Sequence, residues 1–474
     1  MKRVPSSTLL ALLLAGCATP HVTPYAKPAP VLPERWSEPQ PAAAAAAVDL
    51  HRWWTGFHDA ALDRLIERAI AGNLDLRIAA QHLLAARAER DAVAAARHPL
   101  IAATAGGSVQ RSSTRLDYPP GIGRSDTLSV GLEASWEPDL FGRLRQSVDA
   151  AAAEAGVVEE DRHAILVSLI AEVALAYIDL RSAQVCHAIA ARDIARLKAT
   201  LDATERLHRA GLATGASVAQ ARAEWQLAQA RLPGFAERIA RDRHAIATLT
   251  GGFPGETIAD LAAVAPLPEA PDLPPSAPSQ LLRDRPDIRA AERRLAAATA
   301  RANVAAADLL PRSRIPLTLG TAASGVAGLL SPGAIVWSLA AGGSQTLFDK
   351  GQRAARLRAA QALTEAQRLD YERSIRAAMR DVEDVLAARR EEAVRNDALA
   401  APLAASRTAV ARATRERRAG TIGTLDVLTT QRSLYAIEDG LAVSRADRLR
   451  QIVTLAKALG GGWQDEDSSV PLGG

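Results

Sequence analysis

The sequence predicts a mostly α-helical fold with a small transmembrane β part, arranged as a duplicated helix, strand, strand, long helix, helix unit. Three observations predict it. Short motifs recur once with a period near 210 residues, pairs of segments alternate apolar and polar residues, and no run of strong helix breakers intervenes in the stretches 142–209 and 351–418.

The duplication is read motif by motif. Asn73-Leu74-Asp75-Leu76-Arg77 recurs as Arg285-Pro286-Asp287-Ile288-Arg289, and each opens a helical segment closed by a proline 24 residues on, at 99 counted from 75 and at 311 counted from 287. Leu140-Phe141-Gly142-Arg143 has its counterpart in Leu347-Phe348-Asp349-Lys350-Gly351. Arg209-Ala210-Gly211 precedes Ser217-Val218 at the spacing with which Arg418-Ala419-Gly420 precedes Asp426-Val427. The first repeat then covers residues 49–252, with strands near 101–111 and 127–137. The second covers 286–459, with strands near 314–324 and 334–345, and residues 253–285 form a linker between them.

Each strand is an alternation. From Thr127 to Glu137, Leu128, Val130, Leu132, Ala134 and Trp136 fall on one side and Ser129, Gly131, Glu133, Ser135 and Glu137 on the other. A period of two over that length is a strand with one apolar and one wet face. Ile335, Trp337, Leu339 and Ala341 repeat the pattern against Ser338, Gly342 and Ser344, and the segments from Ile101 and Ile315 supply partners. Pro- and Gly-bearing loops at 111–126 and 325–334 close two hairpins.

The long segments are alanine-rich, and each reaches about 100 Å at about 1.5 Å per residue. Coiled-coil spacing shows in Leu166, Ile170, Val173, Tyr177 and Leu180, and again in Ile375, Met379, Val382 and Leu386. Arg389, Asn396 and Pro402 break the register. Pro402 is expected to interrupt its helix, and Pro233-Gly234 to do the same in the first repeat.

At the N-terminus, Lys2 and Arg3 precede an apolar run from Leu9 to Leu14, which reads as a secretory signal over residues 1–16. Leu14-Ala15-Gly16-Cys17 resembles the lipobox of bacterial lipoproteins. That resemblance implies cleavage before Cys17, lipidation of its sulfur, and sorting to the outer membrane with Ala18 next in the chain. Residues 17–48, rich in Pro and Ala, read as a lipid-anchored extended tether, and residues 460–474 after the last helix as a disordered tail. Cys186, the only other cysteine, has no partner once Cys17 carries lipid and is expected in a helix core.

Net charge falls from +4 to +2 when Lys2 and Arg3 leave with the signal, and the charges are spread along helices. That distribution gives no electrostatic case for nucleic acid. Four strands per chain form two hairpins whose apolar rows one protomer has no means of covering. Closing the edges with copies answers this: three protomers give twelve strands, an even number within the range of outer-membrane barrels. The Leu128 to Trp136 row then faces lipid, with Trp136 and Trp337 at the membrane interface.

Trp136-Glu137-Pro138-Asp139-Leu140-Phe141-Gly142-Arg143, Leu282-Arg283-Asp284-Arg285-Pro286-Asp287-Ile288-Arg289, and Arg418-Ala419-Gly420 with Leu425-Asp426-Val427-Leu428 resemble the TolC-like outer membrane factors. The lipobox places the chain nearest their lipoprotein branch, which serves resistance-nodulation-division pumps. The resemblance implies a homotrimer whose β-barrel continues into an α-helical barrel across the periplasm. It also implies a passive exit duct whose partners are outer-membrane lipid, a periplasmic adaptor (membrane fusion) protein and an inner-membrane pump.

In that family the closed end lies at the periplasmic helix turns, here Gly211 to Ser217 and Gly420 to Asp426. Gly211, Ser217 and Gly420 are the expected tips and adaptor contacts. Leu425 and Asp426, with Thr429 and Arg432 beyond, are the expected aperture residues, Leu425 as an apolar constriction and Asp426 as an acidic ring. Arg432 is a candidate for pairing with an acid of another protomer. Some family members carry aspartate where this chain has Thr429 and arginine where it has Ile422, so a polar lock there loses support. Asp426 also fits a helix-capping role.

The chain holds no GxxxxGK[ST], HExxH or GxSxG motif, and its nine histidines are scattered, so neither an enzyme, a cofactor nor a metal site is expected. Two other classes share features with it. A lipid-anchored periplasmic adaptor has coiled-coil hairpins but needs lipoyl-like domains, and a cell-envelope coiled-coil scaffold has no use for alternating strands.

Overall fold

The computed structural model describes residues 25–38, 50–111, 113, 124–261, 263–271, 273, 275 and 277–463. The signal segment, Cys17, much of the tether and the tail beyond Trp463 lie outside the described residues.

The first repeat contains helices α1 (Ala60–Gly72) and α2 (Leu74–Ala95), strands β1 (Leu100–Arg111) and β2 (Arg124–Trp136), and helices α3 (Arg143–Arg209), α4 (Gly215–Gln229) and α5 (Leu232–Leu249). The second contains α6 (Pro286–Ala307), β3 (Arg312–Ala323), β4 (Ile335–Leu339), β5 (Gly342–Ser344), α7 (Gln352–Ala400), α8 (Leu403–Arg418) and α9 (Thr424–Ala458). α3 runs unbroken for 67 residues. Its counterpart is cut at Pro402, whose missing N–H ends α7 and leaves α8 to restart. Between α4 and α5 the break falls at Ala230 and Arg231. Pro233 sits in the first turn of α5, where a missing N–H costs nothing.

Backbone geometry repeats with the sequence. Glycines of positive φ come in three pairs separated by the same 209 positions: 142 and 351, 211 and 420, 251 and 460. The last two pairs close helices. Past each glycine the next N–H reaches back five residues, Leu212 to Leu207 at 2.8 Å, Thr421 to Glu416 at 3.0 Å, Gly252 to Ala247 at 2.8 Å and Gly461 to Ala456 at 2.9 Å. This is the left-handed helix stop that glycine permits without a Cβ clash.

Among the described residues the chain divides into two compact units, one drawn from 1–29, 82–159 and 290–372, the other from 30–81, 160–289 and 373–474. The first holds an antiparallel sheet in the order β1-β2-β3-β4. The expected strand at 334–345 is two pieces, β4 and β5, both paired with β3. Pro316 explains the gap: Ala340 N–H donates to the Pro316 carbonyl at 3.1 Å, but proline returns no N–H, so the ladder lapses between Leu339 and Gly342.

The second unit holds a large apolar core, with Phe57, Leu62, Ile66, Ile170, Val173, Tyr177, Ile178, Val453 and Leu455 all buried. The apolar stretch of α3 is long enough to cross a membrane, and 61% of it is buried inside the protein. Residues 460–463, read from sequence as part of a disordered tail, belong to this core. Trp463 stacks on His163 with ring centroids 4.5 Å apart, lies under the Arg289 guanidinium and donates its indole N–H to the Asp284 carbonyl at 2.8 Å. Glycines 460–462 give the chain room to turn there, since a side chain at 460 or 461 would strike backbone of Asp284 or Leu50.

Candidate functional site

The sheet presents one continuous apolar face. Its register aligns Ile101, Ala134, Leu317 and Leu339 in one row, Ala103, Leu132, Leu319 and Trp337 in the next, and Ala105, Val130, Thr321 and Ile335 in the third. Side chains two apart along a strand share a face, so these rows stack on one side of the sheet. Ile101, Val130, Leu132, Leu317, Leu319, Trp337 and Leu339 are exposed. The outer edges of β1 and β4 have no strand partner among the described residues.

Trp136 lies at the end of its strand opposite Ile315, and its indole donates to the Arg97 carbonyl at 3.0 Å. Trp337 lies opposite Leu319, four residues further along β3, about 14 Å away at about 3.4 Å per residue. The two tryptophans therefore stand at different levels along β3. The short β4 pairs with the middle of β3, which sets Trp337 beside Leu319 in the exposed apolar rows.

At the tips, Gly211 and Gly420 adopt φ of 76° and 80°. Thr214 caps α4, its hydroxyl accepting from Ser217 N–H at 3.2 Å, and the Ser217 hydroxyl lies 2.9 Å from it. In the second tip the N-cap is Gly423. The Asp426 carboxylate, three residues on, accepts the Gly423 N–H at 3.0 Å. Asp426 thus fills the reciprocal half of a capping box and places its charge at the positive end of α9.

Leu425, Asp426, Thr429 and Arg432 are exposed on α9, while Val427, Leu428, Gln431 and Leu434 are buried on the opposite side. Steps of four and three put Leu425, Thr429 and Arg432 in one stripe. Leu425 is 55% exposed, and the Thr429 hydroxyl donates to its carbonyl at 2.9 Å. Arg432 is ion-paired with Glu224 of α4 in the same chain. α4 and α9 pack side by side through Leu428, Ala221 and Ala228, which brings Glu224 within reach.

Sequence reasoning missed a buried polar connection behind this stripe. The Arg417 guanidinium donates to the Thr424 hydroxyl at 2.9 Å and to the Thr204 hydroxyl at 2.9 Å, and the Thr200 hydroxyl meets the Gln431 amide at 3.0 Å. Burial lowers the Arg417 pKa. The signal lay in spacing: Val410, Ala413 and Arg417 occupy the buried positions of α8, so an arginine stands where an apolar residue is expected. Further along, buried Glu438 receives Arg196 at 3.0 Å and Arg407 at 3.1 Å. Burial raises its pKa, but the two guanidiniums outweigh burial and hold it below the usual carboxylate range. Among the described residues no group of three or more His, Cys, Asp or Glu side chains is placed to hold a metal.

The profile of the outer membrane efflux protein family matches residues 65–252 and 277–461, one segment for each repeat. The pyoverdine export outer membrane protein OpmQ of Pseudomonas putida is 34% identical over 465 residues, covering 96% of each chain. The toluene efflux pump outer membrane protein TtgI of the same species is 32% identical, covering 98% of each. Among solved structures, the outer-membrane channel OprN superposes with a TM-score of 0.83 at 34% identity, over 93% of this chain and all of that one. The open state of the MtrE outer membrane channel of Neisseria gonorrhoeae gives 0.82 at 31% identity, over 94% of this chain and 98% of that one.

Proposed function

The chain belongs to the outer membrane efflux protein family, and from that membership we propose that three copies close into a passive exit duct through the outer membrane. The duct receives small molecules from an inner-membrane pump through a periplasmic adaptor and acts without a catalytic step. The observation that carries this reading is the sheet: an apolar face exposed over three rows, with both edge strands open. Unpaired edge groups and exposed apolar rows are costly in water, and a twelve-stranded barrel in lipid removes both costs at once.

Within this reading the exposed stripe of α9 lines the periplasmic aperture, with Leu425 as the apolar constriction and Asp426 as a carboxylate on each of three protomers. The turns at Gly211, Ser217 and Gly420 form the tips that the adaptor meets. Cys17 supplies a lipid anchor, supported by the Leu14 to Cys17 motif. Residues 253–285 link the repeats, and the Trp136 end of the sheet marks the inner membrane interface. A duct selects by width and ring charge, so the choice of solute rests with the pump.

The test is complementation. A strain lacking its own outer-membrane efflux channel, supplied with this chain and its cognate pump and adaptor, should regain efflux of a fluorescent pump substrate. The crosslinked protein should run as a trimer in detergent. A detergent-free, water-soluble monomer, or no restored efflux with all three components in the envelope, contradicts the reading.

A further inference from the structure

Behind the exposed stripe of α9, a cavity of about 480 Å³ opens between α3, α8 and the first turns of α9. Water takes about 30 Å³ per molecule in the liquid, so the space holds a small ion with part of its hydration shell. Among the described residues four arginines line the cavity, Arg196, Arg206, Arg417 and Arg418, and no carboxylate does. The acids nearest them in the chain are engaged elsewhere: Asp202 by Lys198, Glu205 by Arg222 at 2.7 Å, and Glu416 by Arg412 at 4.0 Å. Of the four arginines only Arg196 has carboxylate partners, Glu438 at 3.0 Å and Asp193 at 3.6 Å.

Arg417 makes the imbalance costly. It is 9% exposed, and its bonds run only to hydroxyl oxygens, from Nε and Nη2 to Thr424 and from Nη2 to Thr204. Among the described residues its Nη1 has no acceptor. A buried charge is ordinarily paired, whereas here burial lowers the Arg417 pKa and no carboxylate offsets it. Nε of Arg196, on the α3 wall of the same cavity, is likewise buried without an acceptor. Two arginine donors are thus left open at a cavity where Arg206, Arg417 and Arg418 carry three charges with no counter-charge among the described residues.

We propose that this cavity binds a small multivalent oxyanion of the size and charge of inorganic phosphate, one per chain. Guanidinium suits the role because its planar fork meets two oxygens at once. The anion bridges Arg206 of α3 to Arg417 and Arg418 of α8, so mutual repulsion becomes attraction through a shared ligand, and the packing behind Val427 and Gln431 tightens. All the lining residues belong to one chain and one compact unit, so the site stands or falls apart from the duct.

The test is isothermal titration of inorganic phosphate into the full-length protein in a neutral detergent, at an ionic strength held with sodium chloride. Wild type should give a saturable heat at one phosphate per chain, and its melting temperature should rise with phosphate, since a ligand of the folded state stabilises it. Chloride alone should do neither. The double variant Arg206→Gln, Arg418→Gln alters two exposed side chains without ion pairs, so it should fold as wild type does. It should bind phosphate at least about tenfold more weakly, the loss expected for one charge-assisted hydrogen bond. Arg417→Met, which removes the buried donors, should weaken binding as much. Arg415→Gln takes one charge from the same helix outside the cavity and should bind as wild type does. Wild type that shows neither a saturable heat nor a rise in melting temperature overturns the site. So does an unchanged affinity in the double variant, or a loss in Arg415→Gln equal to that of the double variant.

Discussion

Arg432 of α9 is ion-paired with Glu224 of α4 inside a single chain, one turn beyond Thr429. The pair ties the two helices that follow the Gly211 and Gly420 turns, and it leaves Leu425 and Thr429 as the uncommitted part of the exposed stripe.

Breaking that tie should loosen the tip more than it unfolds the protein. Arg432 is mostly exposed, so the pair contributes less than about 1 kcal/mol. Glu224→Lys sets two cations together and should raise conductance with little change in melting temperature. The charge swap Glu224→Lys with Arg432→Glu should restore the wild-type value. A swap that fails to restore it means the pair has no part in closure.

Leu425→Ala and Asp426→Ala should differ in kind. The first removes an apolar constriction and should raise conductance. The second removes three carboxylates from one ring and should mainly lower cation selectivity, because such a ring concentrates cations in a narrow pore. It should also cost about 1 kcal/mol of stability through the lost Gly423 contact. Reversal potentials in a salt gradient read the difference. If neither variant changes conductance or selectivity, Asp426 keeps only its capping role.

Arg417 tests the buried connection. Arg417→Ala leaves a cavity behind the stripe and removes the donor that Thr204 and Thr424 share, so stability should fall by about 1–3 kcal/mol and thermal unfolding come at lower temperature. Arg417→Met keeps most of the packing volume and should recover part of the loss. Equal loss in both variants would assign the effect to the hydrogen bonds alone.

Gly131 and Gly320 face each other across β2 and β3, and a Cβ on Gly131 would lie 2.8 Å from the Leu319 carbonyl oxygen. Gly131→Val should cost on the order of 3 kcal/mol and lower the yield of trimer, since backbone cannot step aside as a side chain can. Gly343→Ala, at the β5 end of the sheet where the nearest atom is 3.9 Å away, is the control and should assemble normally.

Acid should weaken the clasp around Trp463. Burial raises the Glu160 pKa, but contacts from His163 at 3.2 Å and Arg289 at 2.6 Å outweigh it and bring it below the ordinary value. A depressed carboxylate contributes its stability above its unfolded pKa, about 4.3, and loses it as pH falls through the lower folded value. Melting temperature should therefore drop on acidification below about pH 4.3. Glu160→Gln should be less stable at neutral pH and show a flatter slope in that range.

Much of this fold was legible because its signals are periodic. The 209-residue repeat in Gly142, Gly211 and Gly251 against Gly351, Gly420 and Gly460 is visible to sequence comparison, as is the alternation of Leu128 to Trp136. What escaped depends on register and on pairs distant in the chain. Nothing in the sequence states that Trp337 pairs with Leu319 and not with Ile315, so its level along the sheet relative to Trp136 could not be read. The partner of Arg432 is 208 residues away, and Thr200, Thr204 and Gln431 carry no motif. Residues 460–463 resembled a flexible tail because glycines that permit a tight buried turn also occur in disordered chain.

The central claim, that three copies of this chain form a duct through a membrane, is tested most directly by single-channel recording. Purified trimer added to a planar bilayer should give discrete, uniform current steps, small in wild type and larger in Leu425→Ala. Trimer that inserts into the bilayer yet carries no current, in wild type and in Leu425→Ala alike, would contradict it.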